Sequence, residues 1–297
     1  MTLDIMLPYY GDVGLLQAAV RSVIAQSDPG WRLTVVDDGQ EPGVPEWFAG
    51  LGDERIRYLR NEQNLGITKN FQKCADLAEH EYMTMLGTDD VMLPNYVATV
   101  TALAADHPKV AIIQPGVEVI DAEGKVTNTL VDRTKSKMYR PRFTGQIVMG
   151  GEEMAVSLLR GNWLYFPSLC WRTEKMQSVR FRPELRVIQD LALIIELVQA
   201  GEQMLVDDTL CFQYRRHAES VSSSDAKLGV RFLEARRYFV ETADQMRAHG
   251  WPKAARASRR YVSSRLHAAT MLPGAVLSRS GKGVKVLARH AFGPSRV

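Results

Sequence analysis

Tyr82-Met83-Thr84-Met85-Leu86-Gly87-Thr88-Asp89-Asp90 is an apolar run that stops on a glycine, a hydroxyl and two carboxylates, just before Met92-Leu93-Pro94. A short apolar run bounded by turn chemistry reads as a buried strand. Leu33-Thr34-Val35-Val36 has the same shape and runs into Asp37-Asp38-Gly39. Leu3-Asp4-Ile5-Met6-Leu7 is a third such run and ends in Pro8-Tyr9-Tyr10. Ile56-Arg57-Tyr58-Leu59 and Val110-Ala111-Ile112-Ile113 add two more. Helical spacing fills the gaps: Leu15 to Ile24, Lys69 to Leu77, and Asn95 to about Ala105. Repeated strand–helix units predict an α/β fold, a mainly parallel sheet flanked by helices. Right-handed crossovers then bring the strand carboxyl ends to one edge, where ligands of open α/β sheets bind.

The chain after residue 115 reads differently. Val117 to Val126, with Asp121-Ala122-Glu123-Gly124 at its centre, predicts a hairpin, and the Lys/Arg-rich stretch 132–142 reads as a mobile loop. Helical patterns return at Glu152–Leu159 and Leu191–Val198, and Leu210–Tyr214 is strand-like. From about Ala226 the pattern is helical, with breaks expected at Gly250-Trp251-Pro252 and Pro273-Gly274.

With 297 residues, 45% hydrophobic and 24% charged, the composition is that of a globular protein with one large domain or a domain plus an appendage. No run approaches the ~20 apolar residues of a membrane span, and Met1-Thr2-Leu3-Asp4 does not open a secretory signal. Cys74, Cys170 and Cys211 are isolated, which predicts a reducing, cytoplasmic setting and argues against a zinc site or disulfide framework. The net charge of +3 hides an asymmetry. No acidic residue follows Asp244, and 11 of the 37 Lys and Arg lie beyond it, leaving 26 against 34 acidic residues ahead of it.

Three polar clusters are thus expected at one sheet edge. Asp-Asp-Gly alone reads as a turn; paired carboxylates at the end of a buried strand are costly without a partner. Oxygen ligands of this kind suit Mg²⁺ or Mn²⁺, and such an ion suits a diphosphate-bearing substrate. The Gly-x-Gly-x-x-Gly and Gly-x-x-x-x-Gly-Lys-Ser/Thr phosphate loops are both missing, which disfavours a dinucleotide enzyme or P-loop phosphatase.

An ordered set of motifs carries a resemblance. It comprises Leu7-Pro8-Tyr9-Tyr10, Val35-Val36-Asp37-Asp38-Gly39, Asn64-Leu65-Gly66-Ile67-Thr68-Lys69-Asn70, Leu86-Gly87-Thr88-Asp89-Asp90, Gln189-Asp190-Leu191, and Tyr214-Arg215-Arg216-His217-Ala218-Glu219-Ser220-Val221-Ser222. Over residues 1–225 the chain resembles the inverting family 2 glycosyltransferases of the GT-A (Rossmann-like) fold. The resemblance implies a catalytic domain 1–225, with a nucleotide-sugar half 1–114 and an acceptor half 115–225, and a basic helical C-terminal extension 226–297. It implies transfer of a sugar from a UDP- or dTDP-sugar to a hydroxyl of a glycan, glycolipid or natural product, with Mg²⁺ or Mn²⁺ as cofactor.

It also implies roles. Asp37 would accept a hydrogen bond from the nucleotide base, with Pro8 and Tyr10 lining that pocket; Asp38, Gly66, Lys69, Thr88, Asp89 and Arg215 would complete the donor site. Asp90, Asp89 and His217 would hold the metal, and Asp190 would be the catalytic base. Each has a plainer reading: Asp90 as a helix cap, Lys69 as a solvated lysine, and Asp190 as a carboxylate favoured by a helix dipole. Asn162-Trp163 falls where acceptors sit in similar enzymes, or starts an aromatic core stretch through Trp171. Gly87 replaces the family's first aspartate, so a non-catalytic nucleotide-binding homologue stays open, as does a metal-dependent nucleotidyltransferase.

The tail can be drawn as amphipathic helices at 253–271 and 275–291, the second with Leu277, Val284, Leu287 and Ala291 on one face beside Lys282, Lys285 and Arg289. A basic amphipathic helix suits an anionic membrane surface, here the inner face of a membrane; packing on the catalytic domain is the alternative. Nucleic acid is disfavoured, since no stacking platform accompanies the charge.

Overall fold

The computed structural model describes residues 1–127, 138–216, 230–277 and 281–294. The first part alternates strand and helix as its hydrophobic pattern demands. It runs β1 (Leu3–Tyr9), α1 (Val13–Ile24), β2 (Trp31–Asp37), α2 (Val44–Ala49), β3 (Ile56–Arg60), α3 (Ile67–Leu77), β4 (Tyr82–Met85), β5 (Val91–Met92), α4 (Tyr96–Asp106) and β6 (Ile112–Ile120). Next come β7 (Gln146–Met149), α5 (Gly151–Arg160), β8 (Cys170–Arg172), α6 (Thr173–Ser178), α7 (Gln189–Gln199) and β9 (Met204–Arg215). Four helices follow: α8 (Val230–Ala248), α9 (Pro252–Arg260), α10 (Val262–Leu277) and α11 (Gly281–Phe292).

The sheet order is β3-β2-β1-β4-β8-β6-β9-β5, with β7 also on β9. The β3-β2-β1-β4 half is parallel throughout. β8 enters antiparallel to both β4 and β6, so the whole sheet is mixed. β1 is buried along its length, as a central strand covered on both faces must be. Its alternation splits the core: Met6 joins the cluster under α3, α5 and α7, while Leu3, Ile5, Leu7 and Tyr9 join the cluster under α1 and α4. The buried Asp4 is satisfied by the Glu79 and His80 amides at 2.6 and 2.7 Å and by His80 Nδ1 at 2.7 Å.

The hairpin expected at 117–126 does turn back: Ile120 pairs antiparallel with Val126, Asp121 N donates to Lys125 O at 2.9 Å and Thr127 N to Val119 O at 2.8 Å. Two expectations change. Pro273-Gly274 does not end a helix; α10 runs through it, with Pro273 exposed. The break falls at Tyr261 instead, left-handed at φ 30°, because its fully buried ring stacks 5.6 Å from Phe239 in the main core. Finally, the stripe drawn on the last helix is not an outer face. Leu287 and Ala291 are buried with Phe232 and Ala268 in a small third cluster, while Leu277 is exposed.

The C-terminal helices are therefore two things. Ala235, Tyr238, Phe239 and Met246 of α8, with Ala254 and Ala255 of α9, belong to the main core, whereas α10 and α11 build the small cluster. The expected loop at 132–142 and the expected boundary near 225 fall largely or wholly on residues 128–137 and 217–229, outside the described ones. No described helix is long and apolar enough to cross a membrane.

Candidate active site

Parallel registry assembles the site. Tyr9 is paired with Asp37, Asp37 with Arg60, and Leu86 N donates to Met6 O, so β1, β2, β3 and β4 deliver their carboxyl ends to one edge. There Asp37 is fully buried. Its Oδ1 accepts from Gly39 N at 2.8 Å, and its Oδ2 from Arg60 Nε at 2.9 Å and from the Tyr58 hydroxyl. Burial and then Asp37 hold the Tyr58 proton more tightly than in free tyrosine. The Glu41 side chain folds over Gly39 towards the Tyr9 hydroxyl and covers this corner.

Asp38 does a different job. Its Oδ1 accepts from Asn61 Nδ2 and Leu65 N, each at 2.7 Å, and its Oδ2 from Gly66 N at 2.9 Å. It thereby pins the turn that opens α3. Gly66 stands in that turn at φ 79°, where a side chain would be strained. Lys69 lies exposed on the first turn of α3; Lys73, one turn on, is the lysine that reaches inward, to Asn61 Oδ1 at 2.6 Å. Pro8 is buried and accepts from Thr88 Oγ1 at 3.1 Å, while Tyr10 is exposed.

Beyond β4, Asp90 is buried. Arg215 N donates to its Oδ1 at 2.9 Å, and its Oδ2 has no hydrogen-bond partner. Burial, then the neighbouring Asp89, raises the Asp90 carboxyl well above the usual range. Gly87 makes this possible: a Cβ there would collide with Asp90 Oδ2 and lie 3.2 Å from Asp90 Cγ. The residue that removes the family's first aspartate also opens the space the last one occupies. Arg215 proves to be a clamp: Nε donates to Asp89 O at 2.8 Å and Nη1 to Asp121 O and Ala122 O at 3.1 Å, so these guanidinium donors are spent on main chain.

Asp90 fits a hard cation. It offers an orphaned, buried carboxyl oxygen with Asp89 beside it, the donor chemistry that Mg²⁺ and Mn²⁺ take. Among the described residues no three His, Cys, Asp or Glu side chains form a ready metal cage, and His217 lies outside those residues.

Asp190 sits in the first turn of α7, and Asn162 Nδ2 donates to its Oδ2 at 3.0 Å. Trp163, Leu164, Phe166 and Trp171 are core residues, while Asn162 turns to Asp190 and the Tyr165 ring lies 5.0 Å from that of Tyr214. Tyr214 links the two halves. Burial first, then Asp90, Asp89 and Asp190, hold its hydroxyl proton tightly against the opposing Arg216, so all three carboxylates lie within electrostatic reach of one phenol. Arg231 of α8 completes the group: burial weakens its hold on the proton, opposed by Asp190, Glu234 and Tyr214. Sequence reading missed Tyr58 and Arg60, although strand registry beside Asp37 would have exposed them. It quoted Tyr214 in a motif without giving it a role, and it missed Arg231 and Glu234, which no local motif marks.

Residues 4–160 match the family described as Glycosyl transferase family 2. The chain belongs to glycosyl transferase family 2. It is an enzyme, a glycosyltransferase. It is 24% identical over 233 residues, 76% of either chain, to the putative colanic acid biosynthesis glycosyl transferase WcaA of Escherichia coli K12. It is 20% identical over 262 residues to the succinoglycan biosynthesis protein ExoO of Rhizobium meliloti, covering 85% of this chain and 73% of that one. Among solved structures, S. aureus TarS 1-349 in complex with UDP-GlcNAc superposes with a TM-score of 0.62 at 13% identity, over 99% of this chain and 93% of that one. The mannosyltransferase PcManGT from Pyrobaculum calidifontis, in complex with GDP-Man and Mn²⁺, gives 0.56 at 12%, over 97% and 84%. These likenesses establish the GT-A fold.

Proposed function

We propose that this glycosyltransferase inverts the anomeric centre of a UDP- or dTDP-sugar while moving it to a hydroxyl of a glycan or glycolipid, in polysaccharide biosynthesis. The observation that carries the reading is the buried Asp90 Oδ2 beyond β4, which has no hydrogen-bond partner, with Asp89 next to it and Tyr214 and Asp190 within electrostatic reach. The relatives named for colanic acid and succinoglycan biosynthesis, and the neighbour bound to UDP-GlcNAc, support it. Residues 1–114 serve the donor, 115–225 the acceptor, and 226–297 form the basic extension.

Asp37 accepts the base N–H through Oδ1, which holds only Gly39 N among the bonds above, with Pro8 and Tyr10 at the mouth. Asp90 and Asp89 would hold Mg²⁺ or Mn²⁺, and such an ion would supply Lewis-acid neutralisation of the nucleoside diphosphate. Asp190, oriented by Asn162, takes the acceptor hydroxyl proton as that oxygen attacks, a contribution of about 10²–10⁴-fold. The basic tail meets an anionic membrane surface from the cytoplasmic side.

The test is product analysis with a panel of UDP-, dTDP- and GDP-sugars and Mn²⁺. Nucleoside diphosphate release that collapses in Asp190→Asn, with Mn²⁺-dependent nucleotide binding intact, is expected. Release of pyrophosphate would mark a nucleotidyltransferase, and an active Asp190→Asn enzyme would remove the base.

A further inference from the structure

Helix α7, which carries Asp190 in its first turn, starts without a cap of its own. Its N-cap residue is Ile188, which has no side chain to accept the first amides. What α8 supplies is a carboxylate that holds the three residues leading into the helix, 186–188. Glu234 Oε2 accepts from Arg186 N at 3.0 Å, and Glu234 Oε1 accepts from Val187 N at 2.9 Å and Ile188 N at 3.0 Å. Three successive amides converge on one carboxylate, and the next two residues are Gln189 and Asp190. Charge-assisted bonds of this kind are about twice as strong as neutral ones. One turn earlier on α8, Arg231 faces Asp190 and Tyr214.

We propose that Glu234 is the positioning residue of the catalytic base: α8, in the C-terminal extension, sets the orientation of Asp190 by clamping residues 186–188. The proposal rests on Asp190 acting as the base. It makes the extension a working part of the active site and not an appendage to it. The anchoring of α8 in the main core through Tyr238, Phe239 and Met246 provides the rigid support such a clamp needs.

The two carboxylate oxygens are used unequally, so substitutions should grade. In Glu234→Gln the amide oxygen can still take the Val187 and Ile188 amides, and kcat should fall only a few-fold. In Glu234→Ala all three bonds go, and kcat should fall about 10–100-fold, the scale of a misplacement near 1 Å. Donor KM should hold in both, because Asp37, Asp89 and Asp90 are untouched. The assay is nucleoside diphosphate release from the panel sugar nucleotide that the wild-type full chain turns over fastest, with hydrogen exchange of the 186–190 amides measured in parallel. Faster exchange there, with the graded kcat loss at constant KM, supports the clamp. Glu234→Ala with kcat within about twofold of wild type would overturn it. So would equal losses in Gln and Ala variants with donor KM rising in step, since that marks general damage. Asp190→Asn alongside separates the failures: if it stays active the base reading itself is lost, whereas an inactive Asp190→Asn beside a fully active Glu234→Ala removes only the clamp.

Discussion

Asp90 shows how one residue carries a cost that function needs. Its carboxyl is raised because the folded protein removes it from water and sets Asp89 beside it. A carboxyl that binds its proton more tightly folded than unfolded lowers stability as pH rises from the unfolded value, about 3.9, through the folded one. Neutral pH therefore finds the fold destabilised at this point, and a cation held there would relieve it. Asp90→Asn should melt at least ~2 °C above wild type in chelator at pH 7.5, converge with it near pH 3.5, and show none of the Mn²⁺-dependent rise that wild type shows. A variant that melts below wild type in chelator, or that still responds to Mn²⁺, would refute the assignment. Gly87→Ala probes the same geometry from the other side: the carboxylate must swing away from the new methyl, so activity should drop with little change in melting temperature. At this scale Asp37, Asp38, Gly66, Asp89, Asp90 and Asp190 could be picked out from the chain, because each sits in a short motif at an element's end. Their pairings could not, because Asn162 reaches Asp190 across 28 positions, Glu234 reaches Ile188 across 46 and Arg215 reaches Asp89 across 126, through contacts that only packing creates.

Elements were legible in proportion to their burial pattern. The parallel half of the sheet follows from apolar runs alternating with helical spacing, since a strand covered on both faces must be apolar throughout. β8 was not foreseen: three residues, Cys170-Trp171-Arg172, leave no period to read, yet they turn the sheet from parallel to mixed. Helices α10 and α11 show the other limit, since an amphipathic pattern does not say which apolar side is packed. Their small cluster also holds two histidines. Burial pushes His290 and His267 down to about 4, with Arg265, Arg236 and Arg231 adding to it. His290 is 2% exposed, with Nε2 2.9 Å from Ser264 Oγ, and its ring lies 5.0 Å from Phe232. A histidine kept neutral by folding supports the fold above pH 6.5 and withdraws that support as pH falls towards 4, because the unfolded chain binds the proton first. At pH 5 the His290 share amounts to about 2 kcal/mol. Limited proteolysis should therefore cut within 262–294 much faster at pH 5 than at pH 7.5, and His290→Gln should flatten that dependence. Equal cutting of wild type at the two pH values would contradict it.

At the scale of the whole molecule, what matters is which face the acid-free tail turns outward. Around α10, Val262, Leu266, Pro273, Val276 and Leu277 fall within roughly 100° of one another, and all five are exposed, Leu277 at 84%. No charge interrupts that stripe. Phe292 on α11, the helix packed beside it, is 73% exposed, with Lys285 and Arg289 also outward. Lys253, Arg256 and Arg260 are exposed on α9. An apolar stripe with flanking cations and no acid after Asp244 suits the headgroup region of an anionic bilayer: each exposed leucine offers about 1.5–3 kcal/mol on burial, and each basic residue near the surface about 1 kcal/mol. The face that would meet the proposed membrane surface is thus the outer side of α10, not the inner stripe of α11 that sequence periodicity suggests. Full-length protein should float with vesicles containing phosphatidylserine or phosphatidylglycerol, should float less as salt rises, and should stay behind with phosphatidylcholine alone. Leu266→Ser with Leu277→Ser should weaken flotation at least ~10-fold without changing sugar transfer to a soluble acceptor, because both side chains already face water in the free protein. Undiminished flotation of that double variant would show that charge alone, or another surface, holds the protein. A shift of wild type, but not the variant, to a dimer in vesicle-free solution would show that the stripe is covered by a second copy instead.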